Sequence, residues 1–507
     1  MPEEFQFDTV AYFGDSLTDN GNLHDLSVAA LSFSLPRGPL GYNQRYSDGL
    51  VYAEHATGFL GAETELNYAI SGARAVGNRN VGDLVEDLNL DYFLIVPDDD
   101  PLLSLGIDLS AQVGRFLADM EGQDLSGVSA SLLIGTNDYG TFKPWKVTNW
   151  LSESKAFVAD VIDGILENAR ALHEAGVGQI VINGLPGSSF SFGPYISPFA
   201  GYSFFYHNNQ VEKAVAQLQA EGINAVFVDT EAMAKAISRD PFNFGITAPM
   251  NEPYLLEVYG GDPILNPALA GVPLDQIAFL DSVHPTDVVH AMLGAFHAAS
   301  LTSTVYVGNE FGNRKTFGDE QNLVMASGGS DRMVLAGGDD IAFGEHGTDE
   351  LSGGAGMDIL SGGSETDILW GGADADVLHG GSGNDLIYGE DGADVLLDGT
   401  GSDVADGGAG DDLFIFIQAS LAGGTDGVDA DVFIGGEGSD LLVLLLTEAN
   451  AAAFATDRGT AGEVVALSNQ GITTSGIEEI RVITDRSELD VFNDQARLEE
   501  ADAWGLV

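Results

Sequence analysis

The chain has 507 residues, no cysteine, and 19 basic against 78 acidic residues, which gives a formal net charge of −59. That charge repels nucleic acid and anionic membrane surfaces and attracts metal cations, while the lack of cysteine excludes disulfides and thiolate sites. No apolar run approaches the roughly 18 residues that span a bilayer. The first residues also lack a basic segment followed by an apolar one, so we expect no cleaved signal peptide.

Residues 1–310 alternate apolar runs with segments of helical periodicity. The apolar runs predict four strands, at residues 8–13, 131–134, 179–183 and 225–228. Apolar residues at helical spacing predict helices at residues 155–175 and 209–221. Strands that alternate with helices favour an α/β fold with a parallel sheet covered on both faces, in which chemistry gathers at the carboxyl ends of the strands.

The first predicted strand runs directly into Ser16, which places this hydroxyl at the carboxyl edge of the sheet. Serine is a poor nucleophile until a base takes its proton, and His284 is the natural base near neutral pH. Asp281, three residues earlier, can orient the imidazole and stabilise its charged form. These residues predict a catalytic triad. Local roles are the alternative, since Ser16 and Asp281 could each cap a helix.

Four sequence blocks, taken in order, resemble those of the GDSL, or SGNH, serine hydrolases. They are Gly-Asp-Ser-Leu at 14–17, Asn-Tyr-Ala-Ile-Ser-Gly-Ala at 67–73, Gly-Thr-Asn-Asp at 135–138 and Asp-Ser-Val-His-Pro-Thr at 281–286. The resemblance implies a flavodoxin-like fold of three layers and ester hydrolysis by Ser16, Asp281 and His284. It also implies an oxyanion hole formed by the backbone N–H groups of Ser16 and Gly72 and the side-chain amide of Asn137.

Two further segments bear on the substrate. Residues 44–49 resemble a segment of the phospholipase/acyltransferase-like branch of the same family. Residues 189–206 are rich in aromatic side chains, namely Phe190, Phe192, Tyr195, Phe199, Tyr202, Phe204, Phe205 and Tyr206. These side chains either form the wall of an acyl pocket or pack as an ordinary loop and helix. An apolar wall would favour lipids or longer acyl esters over sugar acetates.

A nine-residue period begins at Gly344. The sixth position of each unit is aspartate, namely Asp349, Asp358, Asp367, Asp376, Asp385, Asp394, Asp403 and Asp412. The eighth position is apolar, namely Leu351, Leu360, Leu369, Leu378, Ile387, Leu396, Ala405 and Phe414. The units resemble the RTX nonapeptide, which implies an all-β parallel β-roll whose aspartates bind several structural Ca²⁺ ions. In such a roll two units make one coil, so the resemblance implies that aspartates eighteen residues apart stack on the same edge.

The repeat region carries a large excess of negative charge. Residues 328–445 contain 25 acidic residues and a single basic one, Arg332. We expect cation binding and folding of this segment to be one event, with a disordered Gly/Asp-rich tract as the alternative. Glu365 and Asp374 stand where the repeat has glycine, which predicts weaker calcium binding at those turns. The RTX resemblance further implies type I secretion from a Gram-negative bacterium, and thus an extracellular protein.

Together these patterns predict four regions. They are a GDSL-type hydrolase domain at 1–310, a linker with a degenerate repeat at 311–336, an RTX β-roll at 337–445, and a cap with a secretion-signal region at 446–507. The predicted function is a secreted esterase or lipase that acts on ester or lipid substrates and meets the type I secretion machinery, but no nucleic acid. Two alternatives stay open. One is a phospholipase or lipid acyltransferase with the same triad, and the other is a calcium-dependent adhesin with a vestigial hydrolase domain.

Overall fold

The structure is a computed structural model that describes residues 7–23, 25, 47, 50–71, 73–87, 96–97, 100–140, 149–186, 198–250, 253, 255–256, 264–269, 272, 274–279, 284–418, 430–454, 465–467, 471–485, 489, 504 and 506. The chain divides into two compact units. The α/β unit comprises residues 1–235 and 249–301, and the roll unit comprises residues 236–248 and 302–507. Within the described ranges, no helix is both long enough and apolar enough to cross a membrane.

The elements up to residue 302 are strands β1–β7 and helices α1–α8. The strands are β1 (Thr9–Gly14), β2 (Thr64–Asn67), β3 (Val128–Leu133), β4 (Gln179–Asn183), β5 (Ala225–Val228), β6 (Leu255–Leu256) and β7 (Ile264–Leu265). The α-helices are α1 (Tyr52–Phe59), α2 (Val81–Asp87), α3 (Leu109–Asp119), α4 (Thr136–Gly140), α5 (Trp150–Glu174), α6 (Pro198–Ala220), α7 (Thr230–Arg239) and α8 (Asp287–Thr302). Short 3₁₀ helices lie at Pro101–Ser104, Pro241–Phe244, Pro267–Leu269 and Leu274–Gln276.

Strands β1 to β5 form one parallel sheet in the order β2-β1-β3-β4-β5. Every residue of β3 and β4 is buried, as expected for strands of a parallel sheet that is covered on both faces. The predicted flavodoxin-like α/β fold is confirmed. The chain leaves β1 for β2 on one side and returns to β3 on the other. The carboxyl ends of β1 and β3 therefore flank the switch point, where ligands bind in such sheets.

The predicted strands and helices of this unit are present, two strands with the predicted ends and the other elements with shifted ends. The four predicted strands correspond to β1, β3, β4 and β5, and the shift is greatest at the start of β3, which begins at Val128. The two predicted helices correspond to α5 and α6, and α6 begins at Pro198 rather than at 209. The earlier start has a packing reason, because Phe204 and His207 of its first half are buried and contact Tyr139.

From residue 302 on, the described residues of the roll unit form eighteen strands and one α-helix. The strands that form the first sheet are β8 (Thr304–Asn309), β10 (Asn322–Ser327), β12 (Ile341–His346), β14 (Ile359–Ser364), β16 (Val377–Ser382), β18 (Val395–Leu397), β20 (Leu413–Ile417), β22 (Leu441–Leu445) and β25 (Glu479–Ile483). The second sheet contains β9 (Arg314–Thr316), β11 (Arg332–Gly337), β13 (Glu350–Ala355), β15 (Ile368–Ala373), β17 (Leu386–Asp391), β19 (Val404–Ala409), β21 (Val432–Glu437), β23 (Val465–Leu467) and β24 (Ile472–Ser475). Helix α9 spans Glu448–Phe454.

From β8 to β22, consecutive strands of the roll alternate between the two sheets, so through the regular repeats each sheet gains one strand every eighteen residues. Leu351 thus pairs with Leu369, and Leu360 pairs with Leu378. The pairs are parallel, except that β23 and β24 are antiparallel. All eight apolar residues at the eighth repeat position are buried in one core between the sheets. The predicted β-roll is confirmed, and the nine-residue period follows from its geometry, since each unit supplies one short strand and one turn.

The roll unit extends beyond the predicted repeat boundaries. Its sheets begin at Thr304, so residues 311–336, expected to be a linker and degenerate repeat, contribute strands β9, β10 and most of β11. Residues 236–248, expected in the hydrolase domain, also belong to this unit, where the ring of Phe244 lies 5.6 Å from that of Phe343. Trp504 contacts the same Phe343 ring at 5.3 Å. Because Phe244 packs on the roll, residues 236–248 belong to the roll unit and not to the predicted hydrolase domain.

Glu390 adopts a left-handed backbone conformation, with φ at 74°. Replacing Glu390 with glycine should stabilise the roll by about 0.5–1 kcal/mol, because the left-handed region is costly for a residue with a Cβ. The measurement is denaturant unfolding of the full chain in saturating calcium. Glu437, equally exposed at the end of β21 and without a positive φ, is the matched control. Glu437→Gly should destabilise by about 0.5–1 kcal/mol, and equal effects of the two changes would contradict the explanation.

Candidate active site

Ser16 lies in a tight turn at the carboxyl end of β1, beside the switch point. The backbone N–H groups of Thr18 and Asp19 donate to the carbonyl oxygen of Asp15 at 3.1 and 3.0 Å, which closes the turn around Ser16. Gly14 precedes it, and a Cβ there would lie 2.4 Å from the carbonyl oxygen at the end of β3. Only glycine fits where β1 and β3 approach, so the half-buried Ser16 is fixed at the sheet edge.

His284 meets Ser16 across this edge. Its Nε2 lies 3.0 Å from Ser16 Oγ, within hydrogen-bond reach of a nucleophile and its base. Thr286, two residues later, anchors this segment. Thr286 donates through Oγ1 to the carbonyl oxygen of Ile277 at 2.5 Å, and its backbone N–H donates to that of Ala278 at 3.1 Å. The geometry allows proton transfer from the serine to the imidazole.

Asp19 binds the serine turn to the second sequence block. Its carboxylate accepts backbone N–H bonds from Gly21, Asn22 and Leu23 at 2.9, 2.6 and 3.1 Å. It also accepts one from Ser71 at 2.8 Å, which is the residue before Gly72. Gly72 itself and Asp281 lie outside the described residues, so their predicted roles stay predictions.

Asn137 and Asp138, just after β3, hold the segment that follows Gly72. Asn137 donates through Nδ2 to the carbonyl oxygen of Ala73 at 3.1 Å. Asp138 accepts backbone N–H bonds from Ala75 at 2.8 Å and from Val76 at 3.4 Å. The first, second and third blocks therefore meet at one edge of the sheet. Asn137 is half-buried there, and its predicted role as an oxyanion donor stays a prediction.

Gln112 is a positioning residue that the sequence analysis missed. Its buried side chain accepts the backbone N–H of Gly14 and donates to the carbonyl oxygen of the same residue, both at 2.9 Å. Its Nε2 also donates to the carbonyl oxygen of Ile107 at 3.0 Å. The side chain of Gln112 thus hydrogen-bonds the last residue of β1 as the backbone of a neighbouring strand would. A polar residue on the buried face of α3 was the available signal, and it does not reveal which backbone the side chain reaches.

The other described histidines buried in the α/β unit are packing residues. His207 accepts or donates a hydrogen bond at Nδ1 with the Tyr139 hydroxyl at 2.8 Å, and burial lowers its pKa to about 3. Burial lowers the pKa of His297 to about 3 as well. Both imidazoles are neutral at physiological pH. His290 Nδ1 accepts the backbone N–H of Tyr52 at 3.2 Å.

Asp15, next to the serine, is a buried acid with a raised pKa. Burial raises its pKa from 3.8 to about 7, the Leu17 N–H opposes this, and the charge of Asp138 adds to it. Because the folded-state pKa lies above the unfolded value, the folded state keeps a proton between pH 3.8 and 7 that the unfolded state has released. This contribution to stability is present at low pH and is lost as pH rises through 7.

The Asp15→Asn variant should therefore gain stability relative to wild type as pH rises from about 5.5 to 8.5. Thermal unfolding of both proteins across that range, in saturating calcium, measures the difference. Asp160, exposed on α5, supplies the control variant Asp160→Asn, which should follow the wild-type pH dependence. A difference between Asp15→Asn and wild type that does not change with pH would contradict the assignment.

The predicted acyl wall is described only in part. Residues 189–197 lie outside the described residues, and so does the side chain of Phe199. The rings of Tyr202 and Tyr206 stack with their centroids 6.0 Å apart, and Trp150 meets Tyr202 edge-on at 5.3 Å. Phe205 is 68% exposed, which is unusual for so large an apolar side chain. Of the segment at 44–49, only Ser47 is described.

In the roll, the aspartates of the repeat form two ladders, as the period predicts. The Oδ1 atom of each accepts the backbone N–H of the aspartate one coil earlier, at 2.7–3.1 Å. One ladder contains Asp331, Asp349, Asp367, Asp385, Asp403 and Asp431, and the other contains Asp340, Asp358, Asp376, Asp394, Asp412 and Asp440. Both edges therefore present a continuous line of carboxylates.

The second carboxylate oxygen of these residues fits a hard cation. Oδ2 of Asp349, Asp367, Asp385 and Asp394 is buried and accepts no hydrogen bond among the described residues. Burial raises the pKa of Asp349 to about 7 and that of Asp367 to about 9. A buried carboxylate whose second oxygen accepts no hydrogen bond requires a proton or a cation, and carboxylate oxygens are ligands that suit Ca²⁺. The donor set of the ladders is therefore compatible with calcium.

Sequence profiles of two known protein families match this chain. The sequence profile described as GDSL-like Lipase/Acylhydrolase matches residues 10–295. The profile of the RTX calcium-binding nonapeptide repeat matches four times, at 325–360, 352–387, 361–396 and 388–416.

Individual proteins are more distant. Phosphatidylcholine-sterol acyltransferase of Aeromonas hydrophila is 26% identical over 342 residues, which cover 59% of this chain and 91% of that protein. A GDSL esterase/lipase of Arabidopsis thaliana is 29% identical over 234 residues, which cover 43% of this chain and 63% of that one. A solved structure of an acylhydrolase candidate from Bacteroides fragilis has 11% identity and a TM-score of 0.27, over 58% of this chain and 86% of that chain.

Proposed function

Because the chain belongs to the GDSL-like lipase/acylhydrolase family, we propose that it hydrolyses carboxylic esters through an acyl-enzyme on Ser16. The observation that carries the proposal is the 3.0 Å approach of His284 Nε2 to Ser16 Oγ at the switch point of the sheet. A serine in hydrogen-bond reach of an imidazole is the arrangement that makes this hydroxyl nucleophilic.

In the proposed reaction, His284 takes the proton of Ser16 as its Oγ attacks the ester carbonyl carbon. The developing oxyanion is held by the backbone N–H groups of Ser16 and Gly72 and by the Asn137 amide. The C–O bond to the alcohol then breaks, and His284 returns the proton to the leaving alcohol. Water, deprotonated by the same imidazole, attacks the acyl carbon; the bond to Ser16 Oγ breaks, the acid is released and His284 returns the proton to Ser16. Asp281 orients the imidazole and stabilises its charged form throughout.

Hydrolysis of p-nitrophenyl esters of graded acyl length tests this function. We expect ester hydrolysis in the presence of calcium, and the aromatic residues of α6 favour longer acyl chains over acetate. The His284→Gln variant should lose the activity at every chain length, because the proton acceptor is gone. Folded protein that hydrolyses no ester of the series would contradict the proposal.

A lipid acyltransferase is the second candidate, and the Aeromonas relative favours it, because 91% of that acyltransferase is covered by the match. Transfer uses the same acyl-enzyme, but an alcohol replaces water in the second step. The two outcomes are separated by supplying a phospholipid with a sterol and measuring sterol ester against free fatty acid. An adhesin with a vestigial hydrolase domain would give neither product.

We further propose that the roll folds when its ladder aspartates bind Ca²⁺, namely Asp349, Asp358, Asp367, Asp376, Asp385, Asp394, Asp403 and Asp412. In this role calcium supplies only positive charge to buried carboxylates. A segment that stays loose at low cytosolic calcium suits type I export, after which extracellular calcium would fold it. Export of the full chain by a Gram-negative host with a type I channel, and retention of a chain that lacks residues 446–507, tests this localisation.

A further inference from the structure

One unit of the roll begins with aspartate where its neighbours begin with glycine. The units that start at Gly389 and Gly407 flank the unit that starts at Asp398. An added Cβ would lie 2.3 Å from Asp394 Oδ2 at Gly389, and 2.1 Å from Asp412 Oδ2 at Gly407. Glycine therefore leaves this space to the carboxylate at the sixth position. At Asp398 the chain places a second carboxylate in a space that the repeat keeps for one.

Asp398 lies against two ladder residues, Asp403 and Asp431. One carboxylate oxygen of each lies within 4.8 Å of the others, and all three residues are buried. Asp398 is 1% exposed. Its Oδ1 accepts the backbone N–H of Gly399 at 2.9 Å, whereas its Oδ2 is buried and accepts no hydrogen bond among the described residues. The strand also ends early, since β18 stops at Leu397 after three residues and its neighbour β16 has six.

We propose that Asp398 adds a third carboxylate to the ladder pair Asp403 and Asp431, so that these three residues share one Ca²⁺ ion. The 4.8 Å limit on the oxygen separations is about twice a calcium–oxygen distance, so one ion can contact all three. The repeat pattern supplies a single ladder carboxylate in each unit, whereas this unit supplies two, Asp398 and Asp403. Calcium affinity rises with the number of charged ligands, so this ion should be bound more tightly than the others.

In this site the ion would neutralise carboxylates that come from two successive coils of the roll. Asp398 and Asp403 belong to one repeat unit and Asp431 to the next coil of the same ladder, 28 residues after Asp403 instead of eighteen. An ion shared by them would join the coils across this longer connection. The inference rests on the proposed calcium binding by the roll and not on ester hydrolysis. A proton shared between carboxylates is the rival way to stabilise the cluster.

The test is a calcium titration of the full chain at pH 7.5, with folding of the roll followed by far-UV circular dichroism. Asp398→Asn keeps the side-chain shape and removes one charge. Asp398→Gly restores the residue that other units carry, so it is compatible with the fold. We expect both variants to need about tenfold more free Ca²⁺ than wild type for half-folding, or more than that. The control is Asp391→Asn, an exposed acid in the same roll, which should leave the midpoint unchanged.

The other outcomes overturn the proposal in distinguishable ways. If Asp398→Asn folds at the wild-type calcium concentration or below it, the cluster shares a proton and holds no ion. If only Asp398→Gly matches wild type, loss of the carboxylate is tolerated, so Asp398 has no role at a cation and the defect of Asp398→Asn comes from its amide. If wild type itself shows no calcium-dependent transition, the calcium role proposed for the whole roll fails. Ester hydrolysis is measured separately and is unaffected by each of these results.

Discussion

Replacing Ser16 with alanine should lower kcat/KM for a soluble ester by at least about 10⁴-fold, while the protein stays folded. The change removes the only atom that forms the acyl-enzyme and leaves the surrounding hydrogen bonds of the turn in place. In those bonds, backbone N–H groups donate to the Asp15 carbonyl oxygen and to the Asp19 carboxylate. The measurement is initial-rate hydrolysis of a p-nitrophenyl ester.

The matched control for this change is Ser126→Ala, in an exposed turn before β3. It should retain wild-type activity, because Ser126 is exposed and precedes the start of β3, whereas the active site lies at the carboxyl ends of the strands. Ser16 and His284 act as a unit, so a double variant should be no slower than Ser16→Ala alone. A Ser16→Ala protein with more than a few per cent of wild-type activity would show that another nucleophile does the chemistry.

Removing calcium with a chelator should unfold the roll unit at neutral pH. Each ion held at a concentration 100-fold above its Kd adds about 2.7 kcal/mol of stability, so several ions together reach the size of a domain's whole stability. Without them, the buried carboxylates of the ladders either stay charged or must take up protons. Loss of the strand signal in far-UV circular dichroism and cleavage by protease within 337–445 measure the effect.

Ester hydrolysis by the chelated protein distinguishes a structural role of calcium from a catalytic one. No ladder aspartate belongs to the sequence blocks that supply Ser16 and His284, so activity should largely persist after chelation. Magnesium serves as the control cation, since it prefers six ligands at shorter distances and should refold the roll poorly. An unchanged spectrum with and without calcium would contradict calcium-coupled folding of the roll.

The parts of the structure that follow from periodic patterns could be predicted from sequence. Aspartates nine residues apart predict two ladders, and the hydrogen bonds at eighteen-residue spacing show them. The ordered sequence blocks likewise predict that Ser16 and His284 meet at one sheet edge, where His284 Nε2 lies 3.0 Å from Ser16 Oγ. These predictions succeed because a regular backbone converts spacing into position.

The start of the roll and the support of the serine could not be predicted in the same way. The glycines that mark the repeat are largely missing before residue 337, although Asp331 and Asp340 already stand in register with Asp349. Residues 236–248 join the roll through Phe244, and no repeat signals a contact so distant in sequence. Gln112 holds the end of β1 through a side chain whose partner only the tertiary structure reveals.

The central claim is that Ser16 carries the acyl group, and covalent labelling tests it most directly. The full chain is treated with a fluorophosphonate, which reacts with serines activated by a base, and the modified peptide is identified by mass spectrometry. We expect one adduct, on Ser16, and none after His284→Gln. An adduct on a different residue, or no adduct in protein that hydrolyses esters, would contradict the account.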